Sequence, residues 1–228
     1  MDQFRLHELI RDGTIPSRQQ VVRQLRSGPG LLPPGLSATF LAEAIVADLN
    51  FTTRRAKHRP LVLKNLRRGN KFASTYHKAI FAALRVIFDG TLTNGKMEEH
   101  LNEGRKRVDI VFKNAASSGF FRDLGRHIKC PFIFFECKNY SREIGNSELD
   151  QLALRLGPRR GLFGILVCRD VKNKQRCLQR CKDLAQNDRG YVIILEDTDF
   201  EKMISAAASG RPKDVDDLLD QKLRELLM

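Results

Sequence analysis

The 228-residue chain is long enough for one substantial domain, alone or with a smaller appendage. It is 42% hydrophobic and 29% charged, the composition of a soluble globular protein, and no run of about 18 apolar residues exists to span a membrane. Forty Lys and Arg against 27 Asp and Glu leave a net charge of +13. That excess favours a polyanionic partner, because each neutralised phosphate releases condensed counterions; a basic solvated surface is the competing reading.

In chain order, MDQFRLHELIRDG lacks the basic-then-apolar order of a secretory signal. QQVVRQLRSGPGLLPPGL carries a short helical pattern and then a Gly/Pro-rich break at residues 28–35. SATFLAEAIVADLNF (37–51) offers a Ser cap and Phe40, Leu41, Ala44, Ile45 and Leu49 at helical spacing. Seven Lys/Arg follow between 54 and 68, plus Lys71, and two readings stand: a nucleic-acid arm or a solvated connector. Residues 1–72 are thus expected to form a mostly helical N-terminal extension with a basic linker.

From residue 73 the pattern becomes regular. STYHKAIFAALRVIF places Tyr76, Ile80, Ala83, Leu84, Ile87 and Phe88 on one helical stripe. DGTLTNGK reads as a turn, 97–102 as a first strand, RVDIVF (107–112) as a second, and CPFIFFECKNY (130–140) as a third after a polar, Gly-containing stretch. NSELDQLALRLGP predicts a helix with a start signal at Ser147-x-x-Asp150 and a Gly157-Pro158 stop. GLFGILVCR (161–169) is a fourth strand, KNKQRCLQRCKDLAQNDRG a helix, and YVIILED (191–197) a fifth strand. DFEKMISAAAS and DVDDLLDQKLRELL close the chain as helices, with Asp197 and Asp199 expected to cap the first of them. A hairpin-connected front and βαβ units behind imply an α/β fold, a mixed sheet flanked by helices. The expected divisions are a core over residues 73–200 and C-terminal helices over 201–228 packed on it.

Two strands carry charges that a purely structural strand would rarely hold. Side chains two apart share one face, so Glu136 and Lys138 point the same way and Cys137 the other. Burying both charges costs several kcal/mol unless they are paired or bind an ion. Asp109, between Val108 and Ile110, raises the same problem. If the two strands are neighbours, Asp109 and Glu136 converge on one hard cation. Mg2+ is satisfied by two carboxylates, a main-chain carbonyl and waters, and the carbonyl of Cys137 is the natural third ligand. Lys138 then sits beside the metal's water. The competing reading is a partly buried Glu136–Lys138 ion pair, with Asp109 bound to Arg105 or Arg107.

Asp109 followed by ECK at 136–138 on the next strand, within this order of elements, resembles the PD-(D/E)xK nuclease superfamily, also called restriction-endonuclease-like. The longer string GRKRVDIVF…FIFFECKNYS…NSELDQLALRLGPRRGLFG is similar to a bacterial subgroup with the ECKNYS-type motif, and the match runs over roughly residues 73–197. The resemblance implies a restriction-endonuclease-like mixed central β-sheet flanked by helices, and Mg2+-dependent hydrolysis of DNA phosphodiester bonds, with Mn2+ as a substitute. It implies that Asp109 and Glu136 hold the metal with the Cys137 carbonyl, that Lys138 handles the water, and that Gln151 supports the site. Glu148, Gln151 and Arg155 line one face of the helix after the third strand; Leu149, Leu152 and Leu156 line the other. Arg105, Arg107, Asn139 and Arg155 are the residues expected to touch nucleic acid.

The chain departs from the pattern at two places. Val108 stands where the motif has Pro, and TYHKAI offers Tyr76 and His77 where many relatives place a metal-contacting Glu. His77 reads as a packed or supporting histidine in preference to a ligand; Glu98 or Glu99 is the candidate replacement acid, with surface charge the simpler reading. Five scattered cysteines (130, 137, 168, 177, 181) suit a reducing compartment, hence a cytoplasmic location. Cys177 and Cys181 lack the partners a zinc site needs. Two functions follow as expectations. One is a DNA endonuclease of host defence or DNA processing, working as a homodimer or with a defence-complex partner protein and no membrane. The other is a catalytically inactive subunit that kept the fold for DNA binding or complex assembly.

Overall fold

The computed structural model describes Leu63, residues 66–101 and residues 106–228. The expected N-terminal helices at 1–62 and the residue Arg105 lie outside that description. A 3-10 turn, Asn70–Phe72, leads into helix α1, Ala73–Ile87, whose stripe of Tyr76, Ala79, Ile80, Ala83 and Leu84 is buried as its 3.6-residue period predicts. Strands β1 (Leu92–Leu101) and β2 (Lys106–Asn114) follow, then helix α2 (Gly119–His127) and strand β3 (Phe132–Lys138). Helix α3 (Asn146–Ala153), strand β4 (Phe163–Cys168), helix α4 (Lys174–Gln186) and strand β5 (Tyr191–Glu196) come next. Helices α5 (Asp197–Ala208) and α6 (Pro212–Leu227) complete the described chain.

The strands form one sheet in the order β1-β2-β3-β4-β5. β1, β2 and β3 are antiparallel neighbours, whereas β3, β4 and β5 run parallel. This is the mixed sheet that the alternation of hairpin and helical patterns implied. β4 lies between two parallel partners and every residue of it is buried, which explains its unbroken apolar sequence. Alternation assigns the two faces. Phe112 and Phe135 turn to the α1 side, where Phe81, Phe112 and Phe135 form a chain of ring contacts at 5.6 and 6.0 Å. Phe134 turns to the opposite side with its register partner Gly164, over which Leu152 of α3 packs.

Three boundaries differ from the sequence reading, each for a physical reason. β1 begins at Leu92, inside the stretch read as a turn. Its T-N-G is an irregularity in the β1–β2 register between Thr93 and Lys96, with Asn94 at φ 51°. A Cβ on Gly95 would lie 2.3 Å from the Phe112 ring, so only glycine lets the strand pass there. The stretch before β3 contains the unforeseen helix α2, which buries Phe120, Phe121 and Leu124. Its first N–H groups find no cap next to them in sequence; instead Asp216 of α6 accepts from Phe120 N at 3.1 Å. Finally, α3 is capped by Glu148, not by Ser147. Glu148 accepts from Gly145 N at 2.8 Å and from the Ser147 hydroxyl at 3.0 Å, while Arg142 bonds its other oxygen at 2.7 Å.

α5 continues across position 200, and Phe200, Met203, Val215 and Leu219 belong to the same buried core as the sheet. All five cysteines are free and buried. Among the described residues no helix is long and apolar enough to cross a membrane.

Candidate active site

The ladder between β2 and β3 pairs Ile110 with Phe135, and the same register carried one step further sets Asp109 opposite Glu136. Both are buried at that step, and the Asp109 carboxylate, through Oδ2, accepts a hydrogen bond from Cys137 N at 2.9 Å. A side chain has taken over a strand N–H where the two strands part. The alternation that turns Phe135 and Cys137 toward α1 turns Asp109, Glu136 and Lys138 toward α3.

From α3, Gln151 reaches the same place. Lys138 Nζ donates to Glu136 Oε1 at 2.7 Å and to Gln151 Oε1 at 2.8 Å. One turn further along the chain, Arg155 brings Nη1 to 2.7 Å from Glu136 Oε2. That guanidinium is anchored by main-chain carbonyls: Nε donates to Arg107 O at 2.6 Å and Nη1 to Gln151 O at 3.0 Å. Two of its five N–H donors go to those carbonyls, and the Nη1 approach to Glu136 Oε2 is an ion pair without hydrogen-bond geometry, so that oxygen is balanced in charge but has no hydrogen bond among the described residues. Glu136 is only 1% exposed. Burial, reinforced by the Asp109 charge, pushes its carboxyl above the usual glutamate range, with Lys138 and Arg155 pulling the other way.

These groups border a cavity of about 460 Å³. Asp109, Glu136, Cys137, Lys138, Gln151 and Arg155 line one side; Asn70, Ala73 and His77 line the α1 side. Tyr140 and the 57%-exposed Leu154 also border it. Among the described residues there is no cluster of three or more His, Cys, Asp or Glu suited to a metal. What the cavity offers is a hard-oxygen set of two carboxylates and main chain, including one buried carboxylate oxygen without a hydrogen bond. That donor chemistry fits Mg2+ or Mn2+.

The remaining expectations divide. Arg107 is on the rim, its side chain 56% exposed and 4.0 Å from the Glu98 carboxylate. Glu98 is an exposed surface charge, and Glu99 is half-buried and paired with Lys96 at 2.9 Å. His77 lines the cavity half-buried, so it supports the site's wall, while Tyr76 is fully buried and turned away. Two of the residues expected to touch nucleic acid border the cavity with their side chains already engaged by the protein. Arg155 is buried against Glu136, and the Asn139 side chain is consumed internally, donating to Arg67 O at 2.9 Å and Gly69 O at 3.1 Å.

Asn139 belongs to a second buried polar cluster that sequence reading missed. Arg169, just past β4, donates from Nε to Asp197 Oδ2 at 2.6 Å and from Nη1 to Asn139 Oδ1 at 2.9 Å. It also donates to Leu66 O at 2.9 Å and to Leu63 O at 2.8 Å. The Tyr76 hydroxyl donates to Asp197 Oδ1 at 2.8 Å, and the guanidinium lies 5.0 Å over the Tyr76 ring. Burial pushes the Tyr76 hydroxyl well up and raises the Asp197 carboxyl, against the pull of Arg169. Asp197 is thus a buried partner of an arginine, whereas Asp199 does act as a cap, accepting from Glu196 N at 2.9 Å. The available signal was an arginine ending an otherwise apolar strand.

No family model matches the chain, and no curated protein matches it. Among solved structures, it is similar to the restriction endonuclease FokI at 12% identity and a TM-score of 0.47. That alignment covers 81% of this chain and 33% of the other, so the chain spans about a third of that protein's length.

Proposed function

We propose that this chain is a divalent-metal-dependent nuclease that hydrolyses phosphodiester bonds of DNA, cutting as an endonuclease. The observation that carries the reading is the convergence of Asp109, Glu136, Lys138 and Gln151 on one cavity at the end of β2 and β3. Asp109, Glu136 and the main-chain carbonyl of Cys137 would hold Mg2+ or Mn2+. When bound, the metal lowers the pKa of its water and offsets charge developing on the scissile phosphate.

The chain's own residues contribute the rest. An ammonium has three protons to donate. Lys138 spends two, on Glu136 and Gln151, and both acceptors come from regular elements, which fixes where the third can point. That third donor is free to hold an attacking water or a phosphate oxygen, which is positioning of the kind that lowers a hydrolytic barrier. Gln151 orients Lys138 from behind. Arg155 offsets part of the upward push that burial gives the Glu136 carboxyl, and the Asp109 bond to Cys137 N fixes the distance between the two strands' ends.

One observation favours a second reading. Asp109 and Glu136 against Lys138 and Arg155 already balance in charge, as a noncatalytic subunit that binds DNA or assembles a complex would require. Incubating the protein with supercoiled plasmid and Mg2+ or Mn2+ separates the two. Nicked or linear product that disappears with EDTA and with Lys138→Ala supports the nuclease. Intact plasmid under every metal, with DNA binding retained in EDTA, supports the binder.

A further inference from the structure

From residue 49 to residue 88 the sequence contains no Asp or Glu. The described part of this acid-free run forms one wall of the candidate site. Asn70, Ala73 and His77 line the cavity, and the neighbouring stripe at Lys71, Ser74 and Lys78 is exposed, as is Arg67. Spacings of three, four and seven along the 3-10 turn and α1 place these two stripes side by side.

The wall is held in an unusual way. Four of its main-chain carbonyls are turned inward: Leu63 and Leu66 accept from Arg169, and Arg67 and Gly69 accept from Asn139. Gly69 N donates in turn to Asn139 O at 2.7 Å. The Arg169 side chain is only 1% exposed, and it directs four of its five N–H donors to this segment, Asn139 and Asp197. A solvated linker has no use for a buried guanidinium gripping its backbone. A wall that must present cations at fixed positions does, because cations ordered in advance lose less freedom on meeting a phosphate chain. Asn139 directly follows Lys138, so the grip ties the wall to the strand end that bears the ammonium. Arg68 is left out of the rim because it pairs with Asp170, while the Arg67 guanidinium lies 5.6 Å over the Phe72 ring with its side chain exposed.

We infer that Arg67, Lys71 and Lys78 form a rim that tracks the phosphate backbone of duplex DNA into the cavity, and that Arg169 and Asn139 are the positioning residues that hold it. This deepens the nuclease reading and rests on it only for the place where the duplex leads.

The test is binding, measured in EDTA by fluorescence anisotropy on a short duplex DNA over a series of salt concentrations. Each phosphate contact contributes about 0.9 to the slope of log K against log salt. Changing Arg67, Lys71 and Lys78 together to Gln is expected to reduce that slope by about 2–3, whereas Lys213→Gln on α6 leaves it unchanged. Asn139→Ala retains every surface cation yet is expected to weaken binding several-fold; Asn139→Asp, which keeps only the acceptor toward Arg169, serves if the alanine variant does not fold. A triple variant with the wild-type slope and affinity overturns the rim, even if the wild type cuts plasmid normally, and the nuclease reading then survives. A wild type that neither binds nor cuts DNA sinks both.

Discussion

Two buried polar clusters lie on either side of residue 138, and they are built to opposite ends. In the one centred on Arg169, the guanidinium meets a carboxylate, an amide oxygen and two carbonyls, and the Asp197 carboxylate is closed by the Tyr76 hydroxyl. In the one centred on Glu136, an equally buried carboxylate has one oxygen with no hydrogen bond, and the cluster opens to a cavity. A fully satisfied network holds a fold together, because each group has recovered what it lost on leaving water. An incompletely satisfied one persists only where the surrounding structure enforces it, and it keeps capacity for something that arrives later. The pair shows two ways of burying charge in one molecule: one closed by hydrogen bonds on every side, the other opening to a cavity.

The largest expected effect sharpens that contrast from the open side. Lys138→Ala is expected to lower the plasmid-cleavage rate by about 10²–10⁴-fold, the range for loss of a positioned proton-handling group. Arg155 still faces the buried Glu136 carboxylate in that variant, so its loss of stability should be smaller than that of an Arg169 variant; an equal loss would place Lys138 with the structural cluster. From the closed side, Arg169→Met strands the buried Asp197 carboxylate and should cost about 3–5 kcal/mol in urea denaturation. An Arg169 variant as stable as wild type would break the comparison outright. Tyr76→Phe removes one hydrogen bond from the same carboxylate and is expected to cost about 1 kcal/mol, read in the same experiment.

The smallest effect is at the helix that carries Gln151. Burial opposes the Glu148 charge, but the bonds from Gly145 N, Ser147 and Arg142 outweigh it and hold the carboxyl below the ordinary glutamate value of 4.5. A lowered value means that the stabilisation is present above pH 4.5 and is lost as pH falls through the folded-state value. Glu148→Gln should therefore be less stable than wild type by about 1 kcal/mol near neutral pH, with the gap closing in acid. A gap that widens in acid would reverse the assignment.

The sheet was legible because its strands carry unambiguous periods, and the candidate site because Asp109, Glu136 and Lys138 interrupt apolar strands where charge is expensive. What stayed hidden depended on partners far away in sequence. α2 is capped by Asp216, ninety-six positions from Phe120, so no local signal marks its start. The β1 irregularity depends on the Phe112 ring beside Gly95. Asn139, next to Lys138, looked like a surface contact because its acceptors are main-chain carbonyls, which have no letter in the sequence. Arg155 was read as a residue on the face of a helix, but α3 ends at Ala153 and Arg155 sits in the turn beyond it, against Glu136 and the Arg107 carbonyl.

The five buried thiols have a practical corollary. Burial raises all of them, Cys181 up to about 12, so at neutral pH little thiolate exists to meet an alkylating reagent. The native protein should be nearly silent to maleimide dyes while it remains folded. A single cysteine introduced on its surface would then be the one responsive handle, and reporters could be hung beside the cavity without first stripping the interior of sulfur.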